Sequence, residues 1–106
     1  MDLGGYMEVI AISGSLKFKN EMMKIAVDLE LKGKCVLSST YPVSDDKDSY
    51  NEEEIKRLKN AHYKKMDMAD SMYVVNVGGY IGESTREEIE YAKSKGKNIY
   101  YLENID

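Results

Sequence analysis

The sequence predicts an α/β fold, a three-layer α/β/α arrangement on a parallel sheet of four or five strands in the order 2-1-3-4. Three observations lead there. Short, nearly continuous apolar runs alternate with longer segments of helical spacing, the pattern of parallel strands covered on both faces. The connections between successive strands are long enough for right-handed helical crossovers. The chain has 106 residues, the size of one domain that buries about two thirds of its unfolded surface.

The first strand is "YMEVIAIS", Tyr6 to Ser13, apolar and β-branched, ending at Gly14. "KFKNEMMKIAVDLELKG" follows with helical spacing. Phe18, Met22, Ile25, Ala26 and Leu29 share one face, and Gly33 marks the stop. Lys34 to Thr40 reads as the second strand. A polar loop, "YPVSDDKDSYN", holds the single proline, Pro42, and its length points to function. The next helix is capped by Ser49 or Asn51, with acids first and lysines later. Its apolar face carries Ile55, Leu58, His62, Met66 and Ala69. Ser71 to Val77 is the third strand. A glycine loop leads into a helix from about Ser84 to Lys95, stopped by Gly96, and Lys97 to Asn104 is the last strand. The topology is flavodoxin-like or Rossmann-like. Such sheets bind ligands beyond the carboxyl ends of their strands, where the winding reverses. Here that point lies between Ser13-Gly14-Ser15 and the loop from Val77 to Glu83.

Composition excludes several classes. Hydrophobic residues make up 42% and charged residues 32%, an ordinary globular balance. The single cysteine, Cys35, excludes an internal disulfide and a cysteine-based zinc site, and fits a reducing, cytoplasmic setting. With one histidine as well, no metal constellation is expected, and no cofactor is implied. No apolar run reaches the roughly 18 residues of a membrane span. Residues 1–5 read as a leader without a signal-peptide charge pattern, and residues 1–106 as one domain. The net charge of -4, with lysines and acids interspersed, argues against bulk nucleic-acid binding while leaving room for one nucleotide.

The candidate site residues lie in the two glycine-bearing loops and the helices beside them. Gly14 permits a tight turn, and the hydroxyls of Ser13 and Ser15 supply donors. The same Ser-Gly-Ser also reads as a simple strand-to-helix turn with a serine cap. Gly78, Gly79 and Gly82 allow close backbone approach to a ligand, Tyr80 can cover a base, and Ser84 and Thr85 open the following helix. Thr85, Ile89, Ala92 and Gly96 form the stripe that faces the sheet. Glu87 and Glu90 point away from it, whereas Glu88 lies about 60° from its centre and borders the cleft. A carboxylate held partly out of water there is a candidate for chemistry. His62 is either a core histidine with one satisfied nitrogen or a donor to a substrate.

These stretches resemble a known family. "EVIAISGS", then "MADSMYVVNV", then "GESTREEIEYAKSKGKNIYYL" are similar to the nucleoside 2-deoxyribosyltransferases, in the superfamily that includes the lonely-guy type nucleotide phosphoribohydrolases. The similarity runs from about Tyr6 to Leu102. Its most specific part is Glu88-Ile89-Glu90-Tyr91-Ala92 followed by Gly96-Lys97, which resembles the transferases' E-x-x-Y-A and G-K. Thr85-Arg86-Glu87-Glu88 resembles the phosphoribohydrolases' T-x-x-E, with Gly78-Gly79 and Gly82 echoing their glycine loop across extra residues. One departure is His62, where some members carry an aspartate. A weaker likeness links "SGSLKFKN" to the phosphate loop of flavin reductases. The main resemblance implies cleavage or transfer of an N-glycosidic bond in a nucleoside or nucleotide, with Glu88 as nucleophile. His62, outside the family pattern, or a tyrosine is then the candidate to protonate the departing base. The resemblance also implies a homodimer.

Overall fold

β1 (Val9–Ser13) is an inner strand of a four-stranded parallel sheet ordered β2-β1-β3-β4. The computed structural model describes residues 5–41 and 49–104. Over that range β1 is followed by a 3-10 turn (Leu16–Phe18), α1 (Lys19–Leu31), β2 (Cys35–Leu37), α2 (Glu52–Met68) and β3 (Ser71–Val74). A second 3-10 turn (Val77–Gly79), α3 (Glu83–Ser94) and β4 (Asn98–Tyr101) complete the order. The expected leader through Gly4 and most of the Pro42 loop lie outside the described residues.

The strand order and the alternation of helices match the sequence expectation, with four strands among the described residues. β1 pairs with β3 from Ile10↔Ser71 to Ser13↔Val74, and with β2 from Val9↔Cys35 to Ala11↔Leu37. Apolar β-branched residues suit strands whose two faces are both covered. Ile10, Ala11 and Ile12 are all buried. Alternation along β1 and β3 divides the core in two. Ala11, Met72 and Val74 meet Met66 of α2 and Ile89 and Ala92 of α3 on one face. Ile12 and Val75 meet Met22, Ile25, Ala26 and Leu29 of α1 on the other.

The strands are shorter than their apolar runs because polar side chains end them. β3 stops at Val74 rather than Val77. Buried Asn76 turns inward, donates from Nδ2 to the Glu103 carbonyl, and accepts the Glu103 N–H at Oδ1. That clasp ties the end of β3 to the end of β4 and satisfies a buried amide that would otherwise be costly. α1 starts at Lys19, two residues later than the helical spacing, because Leu16–Phe18 forms a tighter turn capped by the Ser15 hydroxyl. Asn51, not Ser49, caps α2, in a reciprocal box with Glu54. No helix among the described residues is long and apolar enough to cross a membrane.

At the opposite end of the sheet, the Glu8 carboxylate accepts from Ser71 and Tyr100 and lies 3.2 Å from Lys34 Nζ. The Ser71 hydroxyl, and after it that of Tyr100, hold the Glu8 carboxyl below its ordinary range. A carboxyl lowered by folding contributes stability above its unfolded pKa, near 4.3, and that contribution is lost as pH falls through the folded value. Glu8→Gln is expected to lower stability at pH 7 and to lose its deficit relative to the unsubstituted chain at strongly acid pH. Chemical denaturation at both pH values measures this.

Candidate functional site

The site forms where β1 runs out. Ser13 is fully buried at the strand's last position, and its carbonyl accepts the Val75 N–H at 2.8 Å. Gly14 follows, against β3's extension. A Cβ at this position would stand 3.0 Å from the Val75 carbonyl oxygen and 3.2 Å from Met22 Sδ. Glycine is therefore required here by close backbone approach rather than by an unusual φ. The chain then turns at Ser15, whose Oγ accepts the Lys17 N–H at 3.4 Å.

α3 brings the carboxylate. Thr85, Ile89 and Ala92 are buried against the sheet, as the stripe predicts. Their packing sets the rotation of the helix, which carries Glu88 towards the end of β1. There Ser13 Oγ donates a hydrogen bond to Glu88 Oε1. His62 Nε2 of α2 lies 3.3 Å from the same oxygen, and both side chains are 13% exposed. Glu88 Oε2 has no hydrogen-bond partner among the described residues. The negative charge of Glu88, after burial itself, also raises the pKa of Tyr63 on the same face of α2.

Glu88 and His62 lie in the wall of a cavity of about 540 Å³, a volume suited to a small organic ligand. Gly14, Ser15 and Leu16 form one side, and Gly82, Glu83, Ser84 and Thr85 another. α2 contributes Ile55, Leu58, Lys59 and Lys65. Gly82 is the N-cap of α3 and offers no side-chain cap. The first intrahelical bond runs from the Arg86 N–H to the Gly82 carbonyl. The N–H groups of Glu83, Ser84 and Thr85 thus lack intrahelical acceptors at the positive end of the helix dipole. Lys65 Nζ braces the loop after β2 by donating to the Ser38 carbonyl and Thr40 Oγ1. Lys59 Nζ lies 3.6 Å from Glu87 Oε2.

Of the residues singled out by sequence, Glu88, His62, Gly14, Ser15, Gly82, Ser84 and Thr85 line this cavity. Ser13 sits behind Glu88 and reaches the cavity through it. Gly78, Gly79 and Tyr80 are not part of the lining, which corrects the picture of one continuous glycine cradle. The φ angles of Gly78 and Gly79 are +65° and +82°, so both glycines serve the 3-10 turn that follows Asn76. The Gly78 N–H is taken by the Glu103 carboxylate. Tyr80 packs edge-on against Phe18, with Lys17 Nζ 3.4 Å above its ring. Tyr41 packs against the core layer of Ile12, Met22 and Val75.

Ile55 and Leu58 belong to the apolar face that the sequence marks on this helix. Unlike buried Met66 they are 46% and 38% exposed, and they form an apolar lip of the cavity. Lys59, Lys65, Ser39 and Thr40 were not foreseen in the wall. Helical spacing from His62 reaches Lys59 and Lys65, but nothing local indicates the loop after β2. Comparisons with protein-family models, curated proteins and solved structures gave no match, so the site is read from its own geometry.

Gly14→Ala is expected to cost about 1–3 kcal/mol, because the added methyl overpacks the junction of β1 with Val75 and Met22. Thermal or chemical denaturation measures the loss. An unchanged stability would mean that the strand ends separate without cost.

Proposed function

We propose that this chain breaks the N-glycosidic bond of a nucleoside or nucleotide, by hydrolysis or by transfer to a second base, with Glu88 as nucleophile. The observation that supports this most directly is the state of the Glu88 carboxylate. One oxygen is held by Ser13 and lies beside His62, the other has no hydrogen-bond partner among the described residues, and Glu88 lines the cavity. A carboxylate oriented in this way suits an oxocarbenium-like transition state. In the first step Oε2 forms a bond to C1′, the C1′–N bond breaks, and its electron pair leaves with the base. His62 in the same wall gives a proton to the departing nitrogen. In the second step water or another base adds to C1′, displaces the carboxylate and passes its proton to His62, which restores the starting state.

The remainder of the cavity fits the remainder of such a substrate. The uncapped N–H groups of α3, with the Ser84 and Thr85 hydroxyls, suit a 5′-phosphate or 5′-hydroxyl. Leu16, Ile55 and Leu58 offer an apolar surface for a base. A second reading is a nucleotide-binding module without turnover. The 3.3 Å approach of His62 to Glu88 favours it, since a protonated imidazole there would quench the nucleophile.

A chromatographic screen of common nucleosides and 5′-monophosphates separates the two. The expected result is release of free base, with Glu88→Gln reducing the rate by about 1,000-fold or more while leaving the melting temperature nearly unchanged. Ligand-dependent thermal stabilisation without base release selects the binding module. Neither release nor stabilisation overturns both readings. Where base release occurs, His62→Ala is expected to slow it by about 100-fold to 10,000-fold.

A further inference from the structure

Two lysines of α2 line the cavity, and they are held differently. Lys59 Nζ lies 3.6 Å from the Glu87 carboxylate, so its charge has a counter-ion. Lys65 has none among the described residues. Its partly buried side chain donates to two neutral oxygens, the Ser38 carbonyl at 2.9 Å and Thr40 Oγ1 at 3.1 Å. An ammonium has three N–H donors, so one remains. Bracing the loop after β2 requires a donor but not a charge. A charge held partly out of water with no opposite charge beside it is costly. An uncompensated cation in a cavity wall suits negative charge that develops on a ligand.

Its place on α2 indicates which part of the ligand it meets. Lys65 follows His62 by three residues, so the two side chains are neighbours on one face of the helix. Glu88 and the uncapped N–H groups come from the other helix, α3. With C1′ at Glu88 and the 5′ group at α3, the base is left to the α2 side. As the C1′–N bond breaks, its electron pair passes into the base. In an oxo base that charge spreads through the ring to an exocyclic oxygen. The proton from His62 neutralises it at nitrogen. Until that transfer is complete, the Lys65 ammonium stabilises it at oxygen and gives up no proton. An exocyclic oxygen accepts the remaining N–H, whereas an exocyclic amino group presents hydrogens to it.

We infer that Lys65 is a catalytic residue acting on the leaving base, and that the substrates carry a 6-oxopurine or a 4-oxopyrimidine. Lys65 takes this role only within the N-glycosidic reading proposed above, and it adds to that reading the class of base.

Base release from matched substrates tests it, each supplied as nucleoside and 5′-monophosphate in ribose and 2′-deoxyribose forms. The unsubstituted chain is expected to cleave inosine over adenosine, and uridine over cytidine, by about tenfold or more in kcat/KM. Lys65→Met is then compared on guanosine and 7-methylguanosine. The methylated base is cationic before cleavage and departs neutral, so it has little use for a second cation. Lys65→Met is expected to lower kcat on guanosine by about 100-fold to 1,000-fold and on 7-methylguanosine by less than about tenfold. Loss of the loop brace alone would lower both alike. An equal loss on the two substrates, or a loss confined to KM, overturns the inference and leaves the N-glycosidic reading intact. So does equal or better cleavage of adenosine and cytidine, which requires no variant to fold. Absence of base release from every substrate overturns both.

Discussion

The pairing of β1 with both of its neighbours is the constraint on which the rest of this molecule depends. β1 is hydrogen-bonded to β2 on one side and to β3 on the other. Its Ile12 and Ala11 seed the two separate core layers. Because period-two alternation sends successive side chains to opposite faces, a shift of one residue would exchange those layers. It would also turn Ser13 away from Glu88. The site is thus an extension of strand register. Ser13 is both the last paired residue of β1 and the hydrogen-bond donor to the candidate nucleophile.

Two glycine-bearing segments surround the end of the sheet, and they serve different physical ends. Gly14 is small because backbone and Met22 crowd it. Gly78 and Gly79 take positive φ in a turn whose N–H is already engaged by Glu103. Only the first of these segments lies at the cavity. The second is held by the Asn76 clasp to the end of β4 and leaves the cavity side to Gly82 and the first turn of α3. Gly82 adopts ordinary extended backbone and would place a Cβ in normal contact with Tyr80. Its consequence is an uncapped helix terminus facing a cavity.

Electrostatics at the site are of mixed sign. Glu88 sits with His62, Lys59 and Lys65 on the α2 side and the positive end of α3 on the other. Lys59 is already near Glu87, and Lys65 already braces the loop after β2. The open groups are therefore backbone N–H donors, one N–H of Lys65, hydroxyls and the second carboxylate oxygen. Fixed donors of this kind in a partly enclosed wall need little reorganisation when a ligand arrives.

Much of the fold was legible in the sequence because it depends on local patterns. Period-two and near-3.6 apolar spacing, together with a cap at Ser49 or Asn51, mark the elements, and right-handed crossovers then restrict the strand order. Glu88 was also legible, since its angle from the Thr85–Ile89–Ala92 stripe follows from helix geometry alone. The tertiary structure decided matters that depend on residues far apart in the chain. Among these are the meeting of Ser13 and His62 at one oxygen of Glu88, and the use of Ile55 and Leu58 as a cavity lip. The assignment of Gly78 and Gly79 to a turn closed by Asn76 and Glu103 is another. Side-chain periodicity specifies which way a residue faces on its own element. What it faces is set by how three helices and four strands pack, through contacts between residues up to 92 positions apart.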